Sequence, residues 1–299
     1  MKVRLDVELL KGSCDLHDHT GPAMFERLVD DFEAAKQAGD AGMKAIVLKD
    51  HHDDTSRRAY LTRKVVPGIE VFGSVVLNYC LGGLNPFAVD VAIKSGAKII
   101  FMPTVDARNH MAYYGELGQY GPMKLVEEKS REYQAVNGIS IFTDENELDP
   151  RIPAILKLIA EANIILATSH LSSPETRRLV SEAKKAGVKK IIITHVDFAF
   201  VKRTIEEQIE WANQGAYMEY VYSSLSPAWH SITIEEMVEN IRKVGPERCI
   251  LSSDLGQMHN PAPVEGLRIL YMLLLEKGFT EEEIGLMSRE NPSKLLGLD

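Results

Sequence analysis

The chain has only three cysteines, Cys14, Cys80 and Cys249, scattered over 299 residues. They are too few and too far apart for a disulfide framework, and they predict a reducing, cytoplasmic setting. No run of 18 uninterrupted apolar residues occurs, so no membrane span is expected. The opening Met1-Lys2-Val3-Arg4-Leu5-Asp6 is charged and lacks the apolar core of a signal peptide. An excess of positive charge is also missing, for the formal net charge is −9. Sequence-independent binding to nucleic acid calls for a basic protein, so no nucleic-acid partner is expected. Glycine (21) and proline (13) are near average, which excludes collagen-like and low-complexity chains. No GxGxxG fingerprint follows the first apolar run, which weakens a dinucleotide-binding sheet.

What is present is alternation. Short apolar runs at 14–16, 45–48, 71–77, 98–102, 164–167, 191–194, 216–220 and 250–252 predict strands. Helical spacing fills the intervals at 25–39, 53–64, 86–96, 153–162, 174–186, 204–213 and 233–244, and the tail 262–296 is helical. Strict alternation implies a parallel sheet covered on both faces. An open doubly wound sheet would use the same pattern, but eight units suit a closed α/β fold, the (β/α)8 TIM barrel. The reading is one domain over 1–299, with an insertion at 107–150 after the fourth strand and C-terminal helices from 262. That insertion carries Tyr113, Tyr114, Tyr120 and Tyr133, suited to a cap or a subunit contact, and breaks the period with only a weak strand signal at 139–142.

In a parallel barrel, function collects at the C-terminal ends of the strands. The first strand ends Asp15-Leu16-His17-Asp18-His19, the second Lys49-Asp50-His51 and the fourth Thr104-Val105-Asp106, with His110 beyond. The fifth ends in His170, the sixth in His195, the seventh in Glu219-Tyr220 and the eighth in Asp254. His17 and His19 are two apart on an extended segment, so both imidazoles share a face and can hold one metal ion. His170, His195 and Asp254 stand at equivalent ends of three other strands. Lys49 and His51 share parity, so both are expected to face the mouth. Lys49 is read first as a clamp for a substrate anion and last as a metal bridge.

These residues resemble the amidohydrolase superfamily of metal-dependent hydrolases. The likeness rests on the HxH of His17 and His19, on His170, His195 and Asp254, and on the tail Glu290-Asn291-Pro292-Ser293-Lys294-Leu295-Leu296-Gly297. Within that superfamily the chain is most similar to an uncharacterised amidohydrolase-like group. That similarity is carried by Gly68-Ile69-Glu70-Val71-Phe72-Gly73, Gly82-Gly83-Leu84-Asn85-Pro86 and Met102-Pro103-Thr104-Val105-Asp106. The resemblance implies a (β/α)8 barrel and one or two divalent ions, zinc first, with Mn, Ni or Fe as alternatives. It also implies hydrolysis of a small amide, lactone, cyclic imide or ester by an activated water. His17, His19, His170, His195 and Asp254 would be the metal ligands, and Asp254 and His195 the catalytic groups. Lys49, His51, Asp106 and His110 are the substrate-side candidates. One departure stands out: binuclear members usually bridge their metals with a carboxylated lysine or a glutamate from the fourth strand, but here that strand ends Met102-Pro103-Thr104-Val105-Asp106, with neither, so Lys49, Asp106 or Glu70 is left to bridge two ions, if any residue does.

A partial resemblance to the polymerase-and-histidinol-phosphatase (PHP) phosphoesterases runs through the same HxH, Lys49-Asp50-His51 and Gly68-Ile69-Glu70. It implies phosphoester hydrolysis with Glu70 at the metal cluster, which requires Glu70 to end a strand rather than begin one. Metal-dependent decarboxylation and a non-catalytic barrel are further alternatives. The expected partners are a small-molecule substrate and other copies of the chain in a homo-oligomer, with no membrane.

Overall fold

In the computed structural model, residues 4–115 and 137–298 are described. The eight expected strands are β1 (Cys14–His19), β2 (Ala45–Lys49), β3 (Glu70–Val76), β4 (Ala97–Phe101), β5 (Ile165–Ala167), β6 (Lys190–Ile193), β7 (Tyr217–Val221) and β8 (Cys249–Ser252). Each pairs in parallel with the next in chain order. The circle closes just beyond β8. Asp254 N donates to His17 O at 2.9 Å, His19 N donates to Leu255 O at 2.8 Å, and Asp18 bridges Leu255 in parallel. The fold is a (β/α)8 barrel.

Strand parity sorts the side chains. Alternate residues of all eight strands, among them Cys14, Leu16, Ala45, Val47, Ile99, Phe101, Tyr217 and Ile250, form one buried cluster inside the barrel. Leu295 and Leu296 of the last helix join it. The opposite faces pack against the helices through a larger cluster that includes Val71, Ile100, Leu166, Trp211 and Leu267. The β1–β2 ladder shifts register between Asp15 and Asp18. That shift changes parity after Leu16. As a result His17, not Asp18, comes against Phe101, with ring centroids 5.5 Å apart.

The helices begin where their capping residues dictate. Asp30, Thr204, Thr233 and Thr280 each accept from the backbone N–H three residues on, and the glutamate there reaches back to the cap. At Thr233, Glu236 N donates to Oγ1 at 3.2 Å, and Thr233 N donates to Glu236 Oε2 at 3.0 Å. Thr233→Ala removes the first of these bonds. It is expected to lower stability by about 1 kcal/mol, read as a shifted denaturation midpoint at unchanged slope.

The cap at Asp30 also corrects one expectation. Spacing from Phe25 onward predicts a helix over 25–39, but the helix runs Asp31–Asp40. Residues 20–30 instead cross the barrel mouth as a loop. It is tied by Gly21 N to Val29 O (2.9 Å), by Leu28 N to Gly256 O (2.8 Å) and by pairing of Arg27 with Gln257. Phe25 and Val29 are buried there, while Leu28 is exposed.

Part of the insertion is described. Residues Arg108–Tyr114 are helical, and Ile139 bridges Ala107. Tyr120 and Tyr133 lie outside the described residues. Among the described residues no helix is long and apolar enough to cross a membrane.

Candidate metal and catalytic site

The polar strand ends meet at one mouth. His17 Nε2 and His19 Nε2 each lie 3.1 Å from the same atom, Asp254 Oδ1. All three residues are buried, and their ligand atoms fall within 4.8 Å of one another. Among the described residues no other group of histidine, cysteine or acid side chains converges so closely. His195 and His170 stand beside this trio. The His195 ring is 5.7 Å from that of His17 and 4.9 Å from that of His170. Both ring nitrogens of His195 are buried, and neither has a hydrogen-bond partner among the described residues. Those nitrogens are available to an ion or a substrate.

Supporting residues orient the trio. Glu219 on β7 lies 3.2 and 3.3 Å from His17 Nδ1, and its Oε2 accepts from His195 N at 3.1 Å. A carboxylate at Nδ1 holds the proton there and leaves Nε2 facing the centre. Ser223 Oγ donates to Asp254 Oδ2 at 2.8 Å. Asp254 and His195 both hold left-handed backbone, with φ of 50° and 31°. Such conformations cost about 1–3 kcal/mol each and persist where surrounding bonds fix them, often at functional sites.

Burial sets the proton affinities. It pushes His19, His51, His170 and His195 well below the usual imidazole range, and Lys49 down to about 8. For His17 burial acts the same way, but the charges of Asp254 and Glu219 outweigh it and raise the group to about 9. Asp254 is held well below the carboxylate range against the effect of burial, because His17 and His19 face it.

The substrate-side candidates occupy different places. Lys49 Nζ is 2.8 Å from His17 Nε2 and sits over the Phe101 ring, 4.5 Å from its centroid. His51 stacks on His19 at 4.8 Å, and its Nδ1 is 2.9 Å from Thr104 Oγ1. Thr104 and His51 O are both bonded by Asn78 Nδ2. His110 lies behind His170, with their Nδ1 atoms 2.9 Å apart and their rings stacked at 4.8 Å. Asp106 reaches the loop after β3, where Oδ2 accepts from Tyr79 N at 2.9 Å. Glu70 is the first residue of β3 and is exposed at the opposite end of the barrel. The metal cluster implied by the PHP resemblance therefore lacks that member here.

Glu219, Ser223 and Arg27 were not singled out from the sequence. Glu219 had a readable signal, a lone acid in the apolar run Tyr217-Met218-Glu219-Tyr220-Val221, two residues from the inward-facing Tyr217. Arg27 and Ser223 lie on loops, where no period announces a direction.

Comparison with known proteins agrees with this architecture. The probable dipeptidase PvdM from Pseudomonas aeruginosa superposes with a TM-score of 0.66 at 11% identity, covering 98% of this chain and 96% of that one. An amidohydrolase from Pseudomonas aeruginosa gives 0.61 at 15%, with 97% and 98% covered. A 2,6-dihydroxybenzoate decarboxylase from Rhizobium gives 0.55 at 11%, with 97% and 99% covered. What the chain shares with these enzymes is thus the (β/α)8 barrel fold. By sequence the chain belongs to the family of unknown function DUF6282, which it matches over residues 12–219. No curated protein matches it at a significant level.

Proposed function

We propose that the protein is a metal-dependent hydrolase that uses water to cleave a small amide, lactone, cyclic imide or ester. One observation carries this reading: His17 Nε2, His19 Nε2 and Asp254 Oδ1 converge in a buried site. Two imidazole nitrogens and a carboxylate oxygen suit zinc, with Mn, Ni or Fe as alternatives. His17, His19 and Asp254 would hold the ion, and His170 and His195 would complete its shell or that of a second ion. When bound, such an ion supplies Lewis acidity and lowers the pKa of water toward about 7.

The chain's own groups do the rest. Glu219 fixes the His17 ring. Asp254, aimed by Ser223, accepts a proton from the attacking water and returns it to the leaving group. His195 polarises the electrophilic carbonyl. Phe25, Phe198 and Phe200 are buried around the mouth and keep bulk water from the reacting atoms. Hydrolases and a decarboxylase share this fold, so the barrel suits the reading without selecting the substrate.

The test is metal analysis of protein purified without added metal, followed by a hydrolysis screen of lactones, amides and p-nitrophenyl esters. One or two equivalents of ion are expected, falling below a tenth in the double variant His17→Ala/His19→Ala. Any activity should vanish with a chelator and return with the ion. Failure to bind Zn, Mn, Ni or Fe would sink the proposal.

A further inference from the structure

The barrel has a second end, and the hydrolytic step makes no use of it. The tail after β8 closes that end, with Leu295 and Leu296 in the cluster inside the barrel. The same helix, Asn291–Leu296, borders an open cavity of about 560 Å³. Its lining is Gly12, Lys44, Arg289, Glu290, Ser293 and Lys294. Gly12 and Lys44 precede β1 and β2, so the cavity lies at the opposite end from the histidine site. Its volume falls within the roughly 300–1,000 Å³ usual for small-molecule sites.

The lining is cationic in a chain whose net charge is −9. Lys44, Arg289 and Lys294 share it with one carboxylate, that of Glu290. Among the described residues none of these four forms a salt bridge. Two of the cations are held by neutral oxygens instead. Lys44 Nζ donates to Leu298 O at 2.5 Å and to Ser293 Oγ at 3.3 Å. Arg289 Nη2 donates to Glu8 O at 2.9 Å, and its Nε is buried with no acceptor among the described residues. Bonds to neutral oxygens fix the position of a charge without cancelling it. Cations set in place this way attract an anion that has no ion pair to displace and little ordering left to impose. Ser293, buried between Lys44 and Cys14, adds a hydroxyl to the same wall.

The number and kind of these groups select among anions. A phosphate monoester carries close to two charges and three strong acceptor oxygens. It answers two ammonium groups, which act as point charges, together with one guanidinium. A monocarboxylate brings one charge and two oxygens, and leaves part of the lining unanswered.

We propose that this cavity is a second ligand site, which takes the phosphoryl group of a small phosphate monoester through Lys44, Arg289 and Lys294. The site is independent of the hydrolase reading and shares no residue with the histidine centre. It also gives the charged residues of the tail Glu290–Gly297 a task beyond closing the barrel.

Calorimetric titration of the full, metal-loaded chain with glycerol 3-phosphate tests it, with acetate as the monocarboxylate control. The phosphate is expected to bind at least about tenfold more tightly than acetate, and the difference should shrink as salt is raised. Lys294 is exposed and bonds to nothing among the described residues, so Lys294→Glu should leave the fold intact. It is expected to weaken phosphate binding by about tenfold or more, and Glu290→Gln to tighten it, both at unchanged metal content. Lys44→Met provides a second loss from a different segment of the chain.

An affinity for the phosphate no better than that for acetate overturns the proposal. So does phosphate binding that is undiminished in both Lys294→Glu and Lys44→Met, because the ligand then sits elsewhere, at the histidine centre for example. Either result leaves the hydrolase reading standing, since that reading is decided by metal content and turnover.

Discussion

Asp254→Asn is expected to lower turnover of whichever lactone, amide or ester the protein hydrolyses by about 10²–10⁴-fold, the usual contribution of a positioned proton acceptor. The substitution is clean on structural grounds. Asparagine tolerates left-handed backbone better than most residues, so φ of 50° at this position is no obstacle. Ser223 Oγ can still donate to the amide oxygen, and Asp254 N keeps its bond to His17 O. What is lost is the charge and one acceptor facing His17 Nε2 and His19 Nε2. Turnover should be measured beside the melting temperature and the metal content. A stable, metal-loaded variant with wild-type turnover would remove Asp254 from the proton path. A stable variant that has lost its metal would place the residue's main role in ligation.

Among the described glycines, Gly256→Ala should be the most damaging. Gly256 has φ of 127°, a region side-chain-bearing residues seldom adopt. An added Cβ would sit 1.6 Å from His19 O and 2.6 Å from its carbonyl carbon. Those atoms belong to β1 beside the seam that joins it to the segment after β8, so they cannot move aside without opening the barrel. A cost in the exceptional range, above about 4 kcal/mol, is expected. Denaturant unfolding or the soluble yield would show it. A variant with wild-type stability would mean that the seam is far softer than its bonds imply.

Much of this architecture is legible before folding. Each barrel strand is a short apolar run, and the eight observed strands fall within a few residues of those runs. Parity then placed Lys49 and His51 at the mouth, and the spacing of His17 and His19 put them on one face. The less legible parts share a cause, which is that their geometry depends on distant chain. A period-two count from Leu16 would send Asp18 inward, and only the register shift in β1 sends His17 and His19 there. Phe25 and Val29 fit a helical stripe, yet the Asp30 cap and the pairing of Arg27 with Gln257 hold that stretch as a loop. His110 follows the fourth strand as a substrate contact should, but the helix Arg108–Tyr114 carries it behind His170. Glu219 gains meaning only when closure of the barrel brings β7 within one strand of β1, 202 residues from His17.

The seam between β1 and the segment after β8 also bears on how the molecule is made. His19 meets Asp254 across 235 residues of chain, and Ser253 meets His17 across 236. On a ribosome, the paired histidines emerge near the start, while their carboxylate partner appears only after nearly all of the barrel has been synthesised. Contacts of such long range form late, because closing the intervening loop costs entropy before any bond repays it. Burial of His17 and His19 therefore marks the end of assembly. Until then two exposed imidazoles belong to an incomplete chain, and a mature site exists only in molecules that have closed the whole ring.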